Sequence, residues 1–165
     1  MYTRILVPVD GSAASARGLD EAIELARHLK ASMRLVHVIE PWVMVSPETT
    51  APTIHQLAET IRNVGAGLLK ECEDKVTSSG IEVEAELIET IGNSAGECII
   101  RKAKEVDADL IVCGTHGRRG IRRVLMGSDA EYIVRRAPAP VLLIRNQESV
   151  ARETEVTPTV STESE

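Results

Sequence analysis

The stretch Gly114-Thr115-His116-Gly117, followed after nine intervening residues by Gly127-Ser128, decides how this sequence is interpreted. An apolar run, Leu110 to Cys113, precedes it, and a helical pattern begins at Ser128. A strand that ends in glycines and leads to a helix can cradle phosphate. Glycine lets backbone N–H groups approach an anion, and a helix N-terminus carries partial positive charge. The stretch predicts a phosphate-binding loop in an α/β protein, with an ordinary glycine-containing loop as the alternative.

Outward from this loop, apolar patterns with strand and helix periods alternate along the chain. Turn or loop residues separate the strand patterns from the helix patterns that follow them. The predicted strands cover 5–9, 32–39, 81–87, 109–113 and 141–144, and the predicted helices cover 12–30, 53–80, 94–106 and 128 to the residue before Pro138.

The third predicted strand is acidic on one face, since Glu82, Glu84 and Glu86 alternate with apolar residues. Such a strand belongs at a sheet edge. With right-handed crossovers, the alternation predicts a single doubly wound α/β sandwich: a five-stranded parallel sheet of order 3-2-1-4-5 with helices on both faces. Ligands bind at the point where the winding reverses, which is where Asp10 and the loop from Gly114 to Gly117 meet.

Composition narrows the class of protein. With 165 residues, 43% of them hydrophobic, we expect one domain at 1–145 and a flexible acidic tail at 146–165. A net charge of -6 argues against a nucleic-acid-binding protein. We expect a cytoplasmic protein without membrane insertion, because no leader or sufficiently long apolar run is visible and the three cysteines form no CxxC pair.

Three Ser/Thr-x-x-Glu/Gln patterns predict helix starts. They are Thr53 to Gln56, Ser94 to Glu97 and Ser128 to Glu131. In the last of them Ser128 is the predicted N-cap, so Asp129 is predicted to be the first helical residue.

Taken together, the spacing of three motifs resembles the universal stress protein family, in its ATP-binding subtype. Gly114-x2-Gly117-x9-Gly127-Ser128 is similar to the ATP-binding signature of that family. Ile5 to Ser12 resembles its opening strand and Ala137 to Ile144 its closing segment. The resemblance covers about residues 2 to 145.

The resemblance implies an ATP site. It implies that Asp10 contacts the ribose, that the backbone around Val9 and Val38 contacts the adenine, and that the glycines with Arg118 approach the phosphates. A serine after the last glycine would hold the phosphate end, or cap helix 4 instead. The residues that the resemblance places around the nucleotide are Pro8, Val9, Asp10, Val38, Gly114, Gly117, Arg118, Gly127, Ser128 and Asp129.

Asp129 departs from the family pattern, which usually has a small apolar residue, commonly Val, at this position. A carboxylate about 6 Å from a phosphate would cost on the order of 3 kcal/mol at an effective dielectric near 20. A divalent cation that bridges the two groups would remove this repulsion. We therefore expect ATP binding to depend on Mg²⁺ or Mn²⁺ more than it would with Val at position 129.

The resulting hypothesis is an ATP-binding regulatory protein of the stress response. It would act as a homodimer paired through the apolar fifth strand, and its output would pass through that dimer or an unidentified protein partner. Two alternatives stay open: a slow ATPase or self-phosphorylating protein, and a structural dimer that has lost nucleotide binding. We assign no catalytic residue, because the sequence shows no Lys phosphate clamp and no Ser-His-Asp arrangement.

Overall fold

Strands and helices alternate along the computed structural model, which describes residues 1–41, 51–115 and 126–145. Elements expected in the sequence are present, with bounds within about two residues at most ends. The strands are β1 Arg4–Pro8, β2 Ser32–Ile39, β3 Val83–Glu89, β4 Leu110–Gly114 and β5 Val141–Ile144, and the helices are α1 Ala13–Leu29, α2 Ala51–Ser78, α3 Ala95–Glu105 and α4 Ser128–Arg136.

The five strands form one parallel sheet in the order β3-β2-β1-β4-β5, which confirms the predicted order. β1 lies at the centre because Ile5 is in register with Met33 of β2 on one side and with Leu110 of β4 on the other. Its apolar residues are buried on both faces of the sheet. A continuous apolar run is what a central parallel strand requires.

Two cores lie on opposite faces of the sheet. One contains Ile5 and Val7 of β1 with apolar residues of α1 and α2. The other contains Leu6 of β1 with apolar residues of α3 and α4. Right-handed crossovers produce this division, because the chain winds one way from β1 to β3 and the other way from β3 to β5.

The first predicted capping box is wrong. α2 begins at Ala51, so Thr53 lies inside the first turn and is not the N-cap. Pro52 does not prevent the earlier start, because a proline in the first helical turn loses no intrahelical hydrogen bond and its fixed φ suits a helix.

Among the helices in the described ranges, none combines the length and the apolar character needed to cross a bilayer.

The acidic face of edge strand β3 makes ion pairs. Glu84 pairs with Arg34 of β2, and Glu86 Oε2 lies 2.8 Å from Lys102 Nζ on α3. Lys102 is buried and also pairs with Glu105 at 2.7 Å. Burial alone would lower the pKa of Lys102, but hydrogen bonds with Glu105 and Glu86 raise it on balance. A buried ammonium group is tolerated only with such partners.

Asp109 joins the beginnings of β4 and β1. Its Oδ2 accepts hydrogen bonds from the Thr3 N–H at 2.8 Å and the Thr3 hydroxyl at 2.7 Å, and its Oδ1 accepts from the Arg4 N–H at 2.9 Å. Burial opposes the charged form, but the donors of Arg4 and Thr3 outweigh it and lower the pKa of Asp109.

Gly114, the last residue of β4, contacts the start of α1. A Cβ at this position would lie 2.8 Å from the carbonyl carbon of Ala14 and 2.9 Å from the Ser15 nitrogen. The first turn of α1 therefore rests on a position where only glycine fits.

Asp109→Asn should lower the free energy of unfolding at pH 7, because it weakens the hydrogen bonds to Thr3 and Arg4. The loss should be about 1 kcal/mol, since solvent screens a partly exposed carboxylate. The pKa of Asp109 is lower in the folded than in the unfolded state. Its contribution is therefore full above the unfolded pKa of about 3.9 and is lost as pH falls through the folded value. Urea unfolding from pH 7 to pH 3 should show the difference from wild type shrinking below about pH 4. The exposed Asp107→Asn serves as the control, and a difference independent of pH would contradict the assignment.

Gly114→Ala should lower the free energy of unfolding by about 1–3 kcal/mol, because the new methyl group overlaps the backbone of α1. The matched control is Gly67→Ala in α2, where a Cβ meets nothing within 4 Å. That substitution should stabilise the protein by about 0.5–1 kcal/mol, since alanine favours a helix interior. Urea unfolding followed by circular dichroism measures both, and equal effects would refute the close contact.

Candidate functional site

The predicted crevice lies at the carboxyl ends of β1 and β4, where the winding of the sheet reverses. The chain leaves β1 toward α1 on one face and leaves β4 toward α4 on the other. Such a switch point opens a gap between two strand ends, and two helix N-termini lie beside it.

The turn after β1 fixes the start of α1. Gly11 has a φ of 79°, which favours glycine, and Asp10 Oδ1 accepts a hydrogen bond from the Ser12 N–H at 2.9 Å. Ser12 is the N-cap of α1, and its side chain accepts from the Ser15 N–H at 3.1 Å. The Ser15 hydroxyl in turn accepts from the Asp10 N–H at 3.1 Å. The Asp10 carboxylate is thus part of a braced turn rather than of a free loop.

A backbone hydrogen bond joins the end of β4 to the residue that precedes α4. The Gly127 N–H donates to the Thr115 carbonyl at 2.8 Å, and the Thr115 N–H donates to the Ile144 carbonyl of β5 at 2.9 Å. Gly127 therefore lies next to the end of β4, although twelve positions separate it from Thr115. Gly117 and Arg118 fall outside the described residues, and their phosphate contacts stay predictions.

The third predicted capping box is wrong. Gly127 is the N-cap of α4, without a side-chain cap, and Ser128 is the first helical residue. The Gly127 carbonyl accepts the first bond of the helix, from the Glu131 N–H at 2.9 Å. Glycine is an acceptable N-cap, and here its N–H is held by Thr115. Ser128 is exposed at the start of α4, and its hydroxyl does not cap its own helix.

Asp129 faces a partner that the sequence did not suggest. Its Oδ1 accepts a hydrogen bond at 2.9 Å from the N–H of Gly96, in the first turn of α3. The carboxylate of Asp129 is thus bonded to α3. Its distance from bound phosphates and the need for a bridging cation stay predictions. Within the described ranges, no group of three or more His, Cys, Asp or Glu side chains could hold a metal ion.

The end of β2 forms the other wall of the crevice. Pairing between β1 and β2 ends at Pro8 and Val36, and the Val9 N–H donates to the Val36 carbonyl at 2.8 Å. Val38 lies beyond that last pair and is in register with Ile88 of β3. Its backbone edge on the β1 side therefore lies next to the crevice.

His37 supports this wall, a role that sequence analysis missed. Its side chain is buried, and Nδ1 lies 2.6 Å from the Val9 carbonyl. A carbonyl can only accept, so Nδ1 carries the hydrogen in this bond. The only signal in the sequence was the place of a polar residue near the carboxyl end of a buried strand.

Most of the predicted site residues meet at this edge. Asp129 is directed to α3, and the missing Cβ of Gly114 is already explained by its contact with α1. The residues that the fold brings to the crevice are Pro8, Val9, Asp10, Val38, Gly114, Gly127 and Ser128.

A cavity of about 60 Å³ lies elsewhere, at the amino ends of β1 and β2, between Arg4, Ser32 and Glu82. Its volume admits only a few water molecules. It is too small for a nucleotide.

Comparison with known proteins agrees with this geometry. The universal stress protein family matches residues 1–145. A universal stress protein of Methanocaldococcus jannaschii is 32% identical over 148 residues, covering 88% of this chain and 83% of that protein. The solved structure of universal stress protein UspA from Lactobacillus plantarum matches with a TM-score of 0.76 and 29% identity, over 87% of this chain and 98% of that one.

A further solved structure is that of a universal stress protein from Archaeoglobus fulgidus in complex with dAMP. It matches with a TM-score of 0.60 and 28% identity, over 87% of this chain and 98% of that one. The sequence match spans every strand and helix of the described fold. This chain therefore belongs to the universal stress protein family.

Proposed function

We propose that this chain binds ATP in the crevice between β1 and β4 and acts as a regulatory homodimer of the stress response in the cytoplasm. Its output passes through the dimer or through a protein partner of unidentified nature. The observation that carries the proposal is the hydrogen bond from Gly127 to Thr115, because it puts the start of α4 beside the end of β4.

The phosphates would bind at the start of α4. The first intrahelical bond ends at Glu131, so the N–H groups of Ser128, Asp129 and Ala130 have no acceptor within the helix. These donors and the partial positive charge of the helix N-terminus favour an anion. The Ser128 hydroxyl adds one donor. A phosphate group there needs no lysine clamp.

The nucleoside would bind on the β1 and β2 side. Asp10 offers a carboxylate for ribose hydroxyls, and the bond from Ser12 holds it in place. The backbone of Val38, beyond the last β1 pair, offers polar groups for the adenine edge. The Archaeoglobus relative, which is in complex with dAMP, supports an adenine nucleotide in a fold of this kind.

The homodimer would form through β5. This edge strand exposes Leu142 at 37%, and α4 exposes Val134 at 46%. An edge strand with apolar side chains on its surface is usually covered or paired. Pairing with the same strand of a second copy satisfies both the backbone and the apolar surface.

Isothermal titration with ATP tests the nucleotide site directly. Wild type should bind ATP, and Asp10→Ala should weaken binding about tenfold, because it removes a charged acceptor for the ribose hydroxyls. Asp10→Ala should also lose any preference for ATP over 2′,3′-dideoxyATP. Failure of wild type to bind ATP would overturn the proposal.

Two controls accompany this titration. Asp109→Asn changes a carboxylate at the opposite end of the sheet and should leave ATP affinity unchanged. Phosphate release measured on the same samples separates simple binding from slow hydrolysis, and a rate that disappears in Asp10→Ala would support the ATPase alternative.

Leu142→Lys should convert the dimer to monomers in analytical ultracentrifugation, because a charged side chain would be buried at the paired edge. The matched control is Val64→Lys, on the exposed face of α2, where the side chain is 58% exposed. That variant should sediment as wild type does. A Leu142→Lys protein that stays dimeric would place the interface away from β5.

A further inference from the structure

We infer that Asp129 is a positioning residue, which holds the phosphate-binding end of the crevice by bonding α4 to the start of α3. The inference rests on the proposed nucleotide site and assigns to this carboxylate a role opposite to electrostatic repulsion. Its basis is the hydrogen bond between Asp129 Oδ1 and the Gly96 N–H, 2.9 Å long and joining residues 33 positions apart.

The first turn of α3 has a backbone N–H group, that of Gly96, which its own capping box does not use. Ser94 Oγ accepts from the Glu97 N–H at 3.2 Å, and Glu97 Oε2 accepts from the Ser94 N–H at 3.0 Å, which completes the predicted capping box. The N–H of Gly96, in the same first turn, is outside that exchange and donates to Asp129. The carboxylate therefore lies at the positive ends of two helices, α3 and its own α4.

Close packing also joins α3 and α4 at Gly96. Gly96 is buried, and a Cβ there would lie 3.1 Å from the Tyr132 Cβ and 3.2 Å from the Asp129 carbonyl oxygen. The backbones of α3 and α4 thus approach as closely as a glycine allows. The first turn of α4 has little freedom to slide along α3 while Asp129 keeps its bond.

The two anchors act on one short segment. Thr115 holds the Gly127 N–H from the side of β4, and Gly96 holds Asp129 from the side of α3. Between them lies Ser128, the residue proposed to meet the phosphates. Without the second anchor, the first turn of α4 keeps its bond at Gly127 and its packing against α3. It loses the polar bond that fixes the direction of its N–H groups.

A repulsive role and a positioning role of Asp129 predict opposite effects of Asp129→Val on the affinity for ATP. If the carboxylate mainly repelled phosphate, Asp129→Val would strengthen ATP binding. If it mainly positions the helix, Asp129→Val weakens ATP binding. Asp129→Asn separates the two effects further, because it removes the charge but keeps a carbonyl oxygen that can accept from Gly96.

The experiment titrates ATP and adenosine into wild type, Asp129→Val and Asp129→Asn, each with and without Mg²⁺. Asp129→Val should weaken ATP binding about fivefold, the order expected when one hydrogen bond to a charged group no longer holds the site, and adenosine binding by less than about twofold. Asp129→Asn should recover most of the loss. Tighter ATP binding by either variant, or an equal loss for ATP and adenosine, would overturn the inference.

Ser94→Ala is the matched control, because it removes the cap of α3 without touching α4. It should lower the melting temperature about as much as Asp129→Val does, and leave ATP affinity at the wild-type value. An equal loss of ATP affinity in Ser94→Ala would show that general weakening of α3, and not the anchor, is responsible.

Amide hydrogen exchange tests the anchor without nucleotide. Exchange at Gly96 and in the first turn of α4 should be faster in Asp129→Val than in wild type, and unchanged protection would refute the anchor. If wild type binds no ATP, the proposed function fails and the positioning role fails with it. If wild type binds ATP and Asp129→Val binds it equally well, only the positioning role fails.

Discussion

One backbone hydrogen bond, from the Gly127 N–H to the Thr115 carbonyl, organises the functional end of this molecule. It fixes the start of α4 against the end of β4, and the bond from Thr115 to Ile144 extends the same contact to β5. The entropic cost of bringing two chain positions together grows only slowly with the number of residues between them. The twelve positions that separate Thr115 from Gly127 therefore do not prevent the two residues from fixing the start of α4.

Glycines at this end of the sheet serve different physical purposes. Gly11 supplies a positive φ in the turn after β1, whereas Gly114 and Gly96 permit close contact between backbone segments. At Gly114 the neighbour is α1, and at Gly96 it is α4. A glycine beside a candidate ligand site is therefore weak evidence for ligand contact until its packing neighbours are known.

The periodicity of apolar residues and the rule of right-handed crossovers together predicted the strand order, because β3 carries glutamates on one face and therefore belongs at an edge. Helix starts were less secure, since the same three-residue spacing fits Ser94, which is an N-cap, and Ser128, which is not. The pattern does not report which carbonyl accepts the first helical bond.

Long-range polar contacts were out of reach of sequence analysis. The bonds from Gly96 to Asp129 and from His37 to Val9 join residues 33 and 28 positions apart. Such partners are set by how helices and strands pack, and no local spacing encodes them. The site was therefore predictable in its backbone elements and only partly in the side chains that brace it.

The central place of β1 has a consequence for synthesis. Arg4 meets Asp109 across 105 positions, so one edge of β1 has no partner until β4 leaves the ribosome. At about 5–20 residues per second this wait lasts roughly 5–20 s. During that interval the backbone N–H and C=O groups of β1 on that edge stay unpaired, and its apolar side chains Ile5, Leu6 and Val7 are not yet covered by the complete fold. Such a segment is the kind that chaperones shield and that pairs wrongly with other chains.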